Sequence, residues 1–345
     1  MLCEISNDWD EILFSFQKEK QDIYLTKKYV SLYETDKDKP LCVVCREDNN
    51  IMLMPYLRGE IDCFYDFETA YGYGGPISNT EDNEWNQKAF CNIFDFLKKN
   101  NYLCGFVRFH PLLDNEKIVP KESDGRSIQV IYDRQTICIN TKQNPEEIWT
   151  KQISSKNRNM IRKAERNQLE YKTEYDFASY EEFMELYNAT MQRLSAASFY
   201  FFNREYYYKL KDNLKENSFL GTVRKDGKLI CAAIFMYSGS YGHYHLQGSD
   251  ITYSNLGANN LLLWKVACEM HYLGINEFHL GGGTGGSADN RLYRFKKGFS
   301  SNEKRFHIGK VVFMPKEYKE ITRNWECKNP DKTEMYGNRL LKYRY

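Results

Sequence analysis

The sequence has almost no excess of charge of either sign. Its 48 lysine and arginine residues are balanced by 47 aspartate and glutamate residues, which leaves a net charge of +1. A protein that binds nucleic acid through its general surface carries a strong positive excess. The composition therefore argues against DNA as a partner, and any anionic partner must be met by a local basic patch.

Long apolar segments are also missing. No stretch approaches the roughly 18 uninterrupted apolar residues that a membrane-spanning helix needs. The start, MLCEISNDWDEIL, has no basic region followed by an apolar run, as a secretory signal would have. We therefore expect a cytoplasmic protein without a transmembrane segment.

Cysteine is present at ten positions, but not in the arrangement of a metal site. Cys42 and Cys45 form one CxxC in the strand-like stretch LCVVCRE, and no second CxxC or nearby histidine pair completes a zinc-binding set. Free cysteine usually packs as a small apolar side chain. We expect no metal, and scattered free thiols fit a reducing compartment.

The order of predicted elements repeats along the 345 residues, a length that suits two domains. Each half reads as helices, a hairpin, a strand ending in a small polar or glycine loop, a helix and another strand. The hairpins are predicted at 41–57 and 218–237, and the helices that follow them at 83–101 and 257–274. An internal duplication of one α/β domain explains this order.

The boundary between the halves is predicted near residue 150. The stretch 144–168 begins with the helix-start signals Asn144 and Pro145, and Ser154 or Ser155 can cap a second short helix. We assign 1–150 to an N-terminal domain and 151–345 to a C-terminal domain, and we expect the basic and aromatic tail 325–345 to pack against the first domain.

The run GGGTGG matches the dinucleotide pattern GxGxxG at Gly281, Gly283 and Gly286, and it follows a predicted strand. The context is wrong for a dinucleotide loop. SADNRLYRFKKG has no long apolar helix stripe, no acidic residue ends a further strand about 20 positions on, and too few residues remain for the fold. The run also lacks the GK[ST] ending of a P-loop. It is better explained as a connection from a strand to a helix.

Five stretches, taken together and in order, resemble the Fem-type branch of the GNAT (Gcn5-related N-acetyltransferase) superfamily. They are YGYGGPI (71–77), RFHPLL (108–113), SSKNRNMIRKAERN (154–167), LGGG (280–283) and LYRFKKGF (292–299). The resemblance implies a mixed α/β sheet in two tandem GNAT-like domains, and an acyl or aminoacyl transferase. Fem-type members move an amino acid from aminoacyl-tRNA to an amine of a peptidoglycan precursor, and related tandem proteins are usually N-acetyltransferases. The chain lacks the coiled-coil arm of some members.

The resemblance places a donor site at SNLGAN, 254–259, with Gly257, Ala258 and Asn259 at its core. In the superfamily, backbone amides and a helix N-terminus hold the coenzyme A pyrophosphate at such a loop. Ser254 and Asn259 depart from the superfamily pattern, which favours another donor such as the acylated end of a tRNA. A helix start without a ligand is the alternative.

Two groups of residues are candidates for substrate binding. Arg158 and Arg162 lie on one helix face, within a segment of six basic residues against one acid, and can bind phosphate of a nucleotide-linked or lipid-linked precursor or of tRNA. Tyr71 and Tyr73 can stack on a sugar or base. The alternatives are a solvated helix face and a tight turn.

Three further residues are candidates for chemistry, together with Tyr244 as a substrate contact. In YGHYHLQGSD, His245 could deprotonate an attacking ammonium, although histidines hydrogen-bonded within a strand are the alternative. The resemblance assigns the pair Phe295 and Lys296 to the reaction region and implies that Lys296 stabilises charge on the reacting carbonyl. A fixed ammonium near a tetrahedral oxyanion should do so. The alternative is an ordinary surface lysine.

The sequence thus predicts a transferase that places an acyl or aminoacyl group on a primary amine of an anionic cell-envelope precursor. No tightly bound cofactor is expected, and the co-substrate is aminoacyl-tRNA or acyl-CoA. The first alternative is an acyl-CoA-dependent N-acetyltransferase of the same fold. The second is a non-catalytic module that binds a nucleotide-sugar or RNA.

Overall fold

A computed structural model describes residues 1–120, 127–285, 287 and 289–345. The chain divides into two compact units. The first unit comprises Met1–Lys20, Tyr24–Asp133 and Arg305–Tyr345, and the second comprises Gln21–Ile23 and Arg134–Lys304. Among the described residues, no helix is long and apolar enough to cross a membrane.

The strands are distributed over both units. They are β1 (Leu2–Ser6), β2 (Lys39–Glu47), β3 (Asn50–Ile61), β4 (Phe64–Glu68), β5 (Ile77–Ser78), β6 (Tyr102–Arg108), β7 (Ser127–Asn140), β8 (Glu170–Glu174), β9 (Ser218–Lys225), β10 (Lys228–Ser238), β11 (Tyr241–Ser249), β12 (Glu277–Gly282) and β13 (Glu303–Val312).

The helices lie between these strands and after the last of them. They are α1 (Asp10–Ser15), α2 (Lys27–Val30), α3 (Asn83–Lys99), α4 (Pro145–Glu147), α5 (Ser155–Arg166), α6 (Tyr180–Arg193), α7 (Arg204–Leu214), α8 (Ala258–Tyr272), α9 (Arg291–Lys297), α10 (Pro315–Lys328) and α11 (Pro330–Tyr336).

In the first unit, β1 to β4 form antiparallel pairs in chain order, and α3 then returns the chain so that β6 lies parallel to β4. Asp82 caps the start of α3 by accepting a hydrogen bond from the backbone N–H of Trp85. The apolar face of α3 packs against strand residues such as Tyr56, Phe67 and Tyr102 to form the core of this unit.

The second unit has the same order of elements. Strands β8 to β11 pair antiparallel, and the β9–β10 hairpin closes on Asp226 and Gly227, whose positive φ angles (50° and 79°) suit a tight hairpin turn. Helix α8 then returns the chain, and β12 runs parallel to the start of β11. The repeat of one α/β arrangement confirms the predicted mixed α/β fold of two GNAT-like halves.

The compact units do not coincide with the predicted domains 1–150 and 151–345. Residues 136–140 of β7 pair antiparallel with Gly282–Glu277 of β12, so the chain joins the second unit before the polar stretch at 144. The long segment of the second unit begins at Arg134 because β7 pairs there with a strand distant in sequence, whereas the local helix-start signals suggested residue 150.

The tail residues 325–345 belong to the first unit. Arg344 donates hydrogen bonds to three carboxylates: Nη1 to Asp38, just before β2 (2.9 Å), and to Glu68 of β4 (3.1 Å), and Nε to Asp66 of β4 (3.1 Å). Asp66 is 1% exposed, so its charge depends on this guanidinium for compensation. Tyr343 lies 3.1 Å from the Cys104 thiol of β6.

Helix α8 begins at a glycine that is required by two separate constraints. Gly257 has φ +84°, and a Cβ added there would lie 2.5 Å from the carbonyl oxygen of Met160 in α5. Any other residue would therefore meet both backbone strain and a clash with another helix. Gly274, at the other end of α8, has a similar φ of +72° but open space around an added Cβ.

Substituting these two glycines separates the constraints. Gly274→Ala should lower the free energy of unfolding by about 1–2 kcal/mol through the left-handed backbone alone. Gly257→Ala should lower it by about 2–4 kcal/mol, since α5 must also shift. Chemical denaturation measures both values, and equal losses would show that the contact with Met160 contributes nothing.

Candidate active site

Strands β11 and β12 form a notch because they pair only at their starts. Their parallel register joins Tyr241, Gly242 and His243 to Glu277, Phe278 and His279. Beyond these pairs β11 continues to Ser249 and β12 to Gly282, and the two strands part. Backbone groups at the carboxyl ends of parting parallel strands are a common position for ligands. We call the region between Tyr244 and Gly282 the notch.

The end of β12 is shaped by a bulge at Gly281. The register with β7 shifts between His279 and Gly281, and Gly281 has φ +72°, as in a bulge that needs glycine. Bulges re-aim backbone groups next to a strand end. Here the next carbonyl, that of Gly282, accepts a hydrogen bond from a side chain of α9.

The glycine-rich run connects β12 to α9. Asn290 caps α9 by accepting hydrogen bonds from the backbone N–H groups of Leu292 (3.0 Å) and Tyr293 (3.1 Å), and its amide donates to Thr284 (2.7 Å). A Cβ at Gly283 would lie 2.6 Å from the Asn290 side chain. The connection predicted in place of a dinucleotide loop is therefore what the structure shows, although Gly286 lies outside the described residues.

Lys296 is a buried cation at the notch. It is 7% exposed, and its Nζ donates to the Gly282 carbonyl at 2.8 Å and lies 5.6 Å from the centre of the Tyr244 ring. Burial lowers the pKa of Lys296 from 10.5 to about 7, because desolvation disfavours the charged form. The amine therefore exchanges a proton near neutral pH, which an exposed lysine does not do.

Tyr244 supplies the ring that lies against the ammonium. Its ring stacks on Phe235 with centroids 5.5 Å apart and an interplanar angle of 15°. Burial raises the pKa of its phenol well above 10, so the group remains protonated at physiological pH. The face of this neutral ring can stabilise the protonated amine of Lys296.

Phe295, the other member of the predicted pair, packs against the core of the second unit. Its ring packs edge-on against Phe299 at 5.5 Å. Its backbone carbonyl accepts a hydrogen bond from Asn157 of α5 at 3.4 Å. These contacts hold α9 against the core, Lys296 reaches the notch, and a part for Phe295 in the reaction stays a prediction.

His245 is a poor match for the predicted role of base. Its Nε2 lies 3.1 Å from the Tyr206 hydroxyl. Burial, and then the neighbouring His243, lower its pKa to about 3. An imidazole with so low a pKa accepts a proton weakly near pH 7, so Lys296 is the better matched proton acceptor at this site.

A chain of buried polar side chains lies at the last paired residues of the two strands. His243 Nε2 is 2.6 Å from an oxygen of Asp22, the rings of His243 and His279 meet edge-on at 5.6 Å, and His279 Nε2 is 2.8 Å from the Thr136 hydroxyl. All four residues are at most 1% exposed. Asp22 is 221 positions from His243 in the chain, so no local sequence pattern indicates this pair.

The predicted donor residues are largely engaged within the protein. Ala258 belongs to the apolar core. The side-chain oxygen of Asn259 accepts hydrogen bonds from the Cys231 thiol (2.8 Å) and from Gln247 (3.1 Å). Gly257 closely approaches Met160, so α5 covers one side of this helix start. Donor binding by these three residues stays a prediction.

The two predicted arginines have different environments. Arg158 is half-buried and donates from Nη1 to the backbone carbonyls of Trp149 (3.1 Å) and Ile153 (2.6 Å). Arg162 is exposed, and its guanidinium carbon lies 5.4 Å from the Trp149 ring centre, which in turn is 5.0 Å from the Trp264 ring. Arg162 is therefore available to an anion, while Arg158 already supports the turn before α5.

Helix α5, which carries Arg158 and Arg162, contacts the other parts of the site. At its start, the backbone N–H of Ser154 donates to the Gly298 carbonyl at 2.9 Å, directly after α9. Further along, Met160 contacts the start of α8. The helix therefore contacts the elements that carry Lys296 and the predicted donor loop.

Tyr71 and Tyr73 belong to the first unit, in an aromatic cluster. Tyr73 meets Tyr24 (5.4 Å), Phe306 (5.2 Å) and His110 (5.6 Å) edge-on. The backbone carbonyl of Tyr71 accepts a hydrogen bond from the Tyr29 hydroxyl at 2.7 Å. The structure shows how both half-buried tyrosines pack, and their contact with a substrate stays a prediction.

The residues around the notch match a known family. Residues 153–297 match the family model described as Acetyltransferase (GNAT) domain. This range contains α5, β11, α8, β12 and α9, and with them Lys296 and Tyr244. The chain carries a GNAT acyltransferase domain. The notch is the active-site candidate of this GNAT domain.

Solved structures extend the likeness over both units. FemX has a TM-score of 0.71 and 14% identity, covering 93% of this chain and all of that chain. A conserved protein of unknown function from Bacteroides thetaiotaomicron has a TM-score of 0.60 and 13% identity, covering 90% and 100%. The C-terminal domain of a putative lysylphosphatidylglycerol synthetase from Agrobacterium fabrum has a TM-score of 0.56 and 11% identity, covering 88% of this chain and 90% of that chain.

At these identities the likeness is one of fold, and it confirms the predicted resemblance to the Fem-type branch at that level. Comparison with curated protein sequences gives no match. The GNAT domain, its fold neighbours and the buried amine together support acyl or aminoacyl transfer as the general chemistry.

The pKa of Lys296 can be tested through stability. Between pH 7 and 10.5 the unfolded chain holds a proton that folded Lys296 has lost, so this site makes stability rise with pH. Lys296→Met removes that contribution. The free energy of unfolding of the variant, relative to wild type, should fall by about 2 kcal/mol from pH 7 to pH 9 in urea titrations.

The matched control is Lys297→Met, on the same helix. Lys297 is 52% exposed and forms an ion pair with Glu303 at 2.5 Å. Its substitution should give a difference from wild type that stays constant over this pH range. A constant difference for Lys296→Met as well would mean that Lys296 titrates like an exposed lysine.

Proposed function

We propose that the chain transfers an acyl or aminoacyl group to a primary amine of an anionic cell-envelope precursor, with the acyl carbonyl in the notch beside Lys296. One observation carries this proposal: a buried lysine amine lies at the parting of β11 and β12, between a backbone carbonyl and a ring face. Neither contact carries a formal charge, so the positive charge of the protonated amine is available to a reacting group.

The chemistry needs a developing negative charge to be stabilised. An amine that attacks an ester or thioester carbonyl produces a tetrahedral oxyanion. Once it has taken up a proton from the attacking nitrogen, Lys296 stabilises this oxyanion at short range and away from water, where such an interaction is stronger than on the surface. Holding both substrates in the notch contributes further through proximity.

The same reaction needs a route for one proton. A neutral Lys296 accepts a proton from the attacking nitrogen, which leaves the lysine as an ammonium beside the oxyanion. The proton then passes to the leaving oxygen or sulfur as the carbonyl re-forms. A pKa of about 7 suits both transfers.

The acceptor is proposed from the basic face of α5. Arg162 is exposed against Trp149, an arrangement that can pair with a phosphate while the rings pack against an attached sugar or base. The name of one fold neighbour, a putative lysylphosphatidylglycerol synthetase, supports aminoacyl transfer and an anionic acceptor. The precursor is thus proposed to be nucleotide-linked or lipid-linked.

The donor is proposed to be aminoacyl-tRNA, bound through its acylated end and not as a tightly held cofactor. Asn259 and Ala258 at the start of α8 are engaged in protein contacts, which supports a departure from the usual coenzyme A loop. The GNAT family match favours acyl-CoA as the second candidate. Calorimetry with acetyl-coenzyme A and the wild-type chain separates the two, since micromolar binding would favour the second.

A non-catalytic module for nucleotide-sugar or RNA is the less well supported candidate. Burying a lysine amine so that its pKa falls to about 7 costs folding free energy. Strongly perturbed ionisable groups in concave sites are typical of catalysis. A passive binding surface gives no reason for this cost.

The catalytic proposal predicts specific kinetics for variants of Lys296. Lys296→Met should lower kcat by about 100-fold or more while changing the KM for the acceptor little, because the lost interaction is made in the transition state. In wild type, kcat should rise with pH through an apparent pKa near 7. Lys296→Arg keeps a charge but cannot accept a proton, so this rise should disappear. Single-turnover assays with each donor measure these changes.

The control for these assays is again Lys297→Met, which should retain wild-type rates. Tyr244→Leu, which removes the ring, should lower kcat more than Tyr244→Phe, which keeps it. Unchanged turnover in Lys296→Met with an authentic donor and acceptor would remove Lys296 from the mechanism.

The acceptor proposal predicts that substituting Arg162 affects acceptor binding, whereas substituting Arg158 affects stability. Arg162→Ala should raise the KM for a phosphorylated acceptor by about tenfold, the value of one charge-assisted hydrogen bond, with little change in melting temperature. Arg158→Ala should lower the melting temperature, because two backbone carbonyls lose their donor. Arg193→Ala, an exposed arginine of α6, is the control for non-specific charge. Equal KM values for Arg162→Ala and Arg193→Ala would show that Arg162 does not bind the acceptor and is an ordinary solvent-exposed arginine.

A further inference from the structure

Two cysteines of the first unit lie side by side on neighbouring strands. Cys3 of β1 and Cys45 of β2 are register partners in an antiparallel pair, and their sulfur atoms are 2.8 Å apart. Side chains of directly opposite residues project to the same face of a sheet. The Cα separation of such partners, about 4.5–5.5 Å, falls within the range that a disulfide spans.

We propose that Cys3 and Cys45 form a reversible dithiol–disulfide site that responds to peroxide. This site is separate from the notch and does not depend on the proposed transferase activity. The CxxC partner of Cys45 takes no part in it. Three positions apart on one strand, Cys42 and Cys45 project to opposite faces, and the residue opposite Cys42 on β1 is Ser6.

The two thiols differ in exposure and in pKa, as the attacking and resolving thiols of a reactive pair do. Cys3 is half-buried and open to a small oxidant, whereas Cys45 is fully buried. The hydrogen bond with Cys45 lowers the pKa of the Cys3 thiol, and the same contact, with burial, raises the pKa of Cys45. Cys3 is therefore the attacking thiolate and Cys45 the resolving thiol.

The reaction balances in two steps. The Cys3 thiolate attacks one oxygen of hydrogen peroxide, and with one proton it gives the sulfenic acid and water. The Cys45 thiol then attacks the Cys3 sulfur, which forms the S–S bond and releases a second water molecule. A dithiol reductant restores both thiols by exchange.

Oxidation would attach an edge strand covalently. Strand β1 pairs with β2, and most of its residues are exposed, including Leu2 at 67% and Ile5 at 39%. The two cysteines are 42 positions apart, so the bond closes a long loop and restricts the unfolded chain. The oxidised protein should therefore melt at a higher temperature than the reduced protein.

Peptide mapping of the full-length chain tests this site. After treatment with hydrogen peroxide and alkylation with iodoacetamide, mass spectrometry should find the peptides of Cys3 and Cys45 joined with the loss of two hydrogen atoms, and dithiothreitol should separate them. In Cys45→Ser, dimedone should trap Cys3 as the sulfenic acid, and the peroxide-induced rise in melting temperature should vanish. Cys42→Ser should behave as wild type.

Two results would overturn the proposal. One is that Cys3 and Cys45 both remain alkylated as free thiols when the exposed Cys63 has been oxidised. The other is that Cys3 is found joined to Cys63 or to a second chain instead of Cys45. Because Cys3→Ser changes only an edge strand, it should fold and provides a second variant that lacks the bond.

Discussion

The site depends on the burial of one amine. Lys296 is held where water cannot solvate it well, by the Gly282 carbonyl on one side and the Tyr244 ring on the other. Both contacts favour the ammonium, yet desolvation exceeds them and brings the pKa to about 7. The elements around the notch serve this balance: the bulge at Gly281 precedes the accepting carbonyl, and the loop capped by Asn290 returns the chain into α9.

Helix α5 is in direct contact with the functional elements of the GNAT domain. Its start is bonded to the residue after α9, its middle contacts the first turn of α8, and its outer face carries the exposed Arg162. A ligand that pairs with Arg162 therefore binds to the helix that also supports the lysine and the predicted donor loop. The requirement for glycine at position 257 follows from the same close packing.

Local patterns in the sequence were sufficient for the order of elements and for the fold class, because turns such as Asp226 and Gly227 and the apolar periodicity of α3 are set by neighbouring residues. The motif around Lys296 also identified a residue that the structure places at the notch. The surroundings of the candidate site residues could not be predicted from such local patterns. The backbone carbonyls that occupy Arg158, the low pKa of His245 and the acid beside His243 all depend on contacts between distant segments. The division into units differs from the predicted boundary for the same reason, since strand pairing joins residues far apart in the chain.

The position of Arg344 has a consequence for synthesis. Asp66 and Glu68 are made early, but the guanidinium that compensates them is 278 and 276 positions further along the chain. Non-local contacts of this kind slow folding, because a long loop must close before they can form. On the ribosome, the second unit can acquire all its residues while the first still lacks residues 305–345. The first unit, although its synthesis begins first, can therefore complete its fold only after the second unit has been translated.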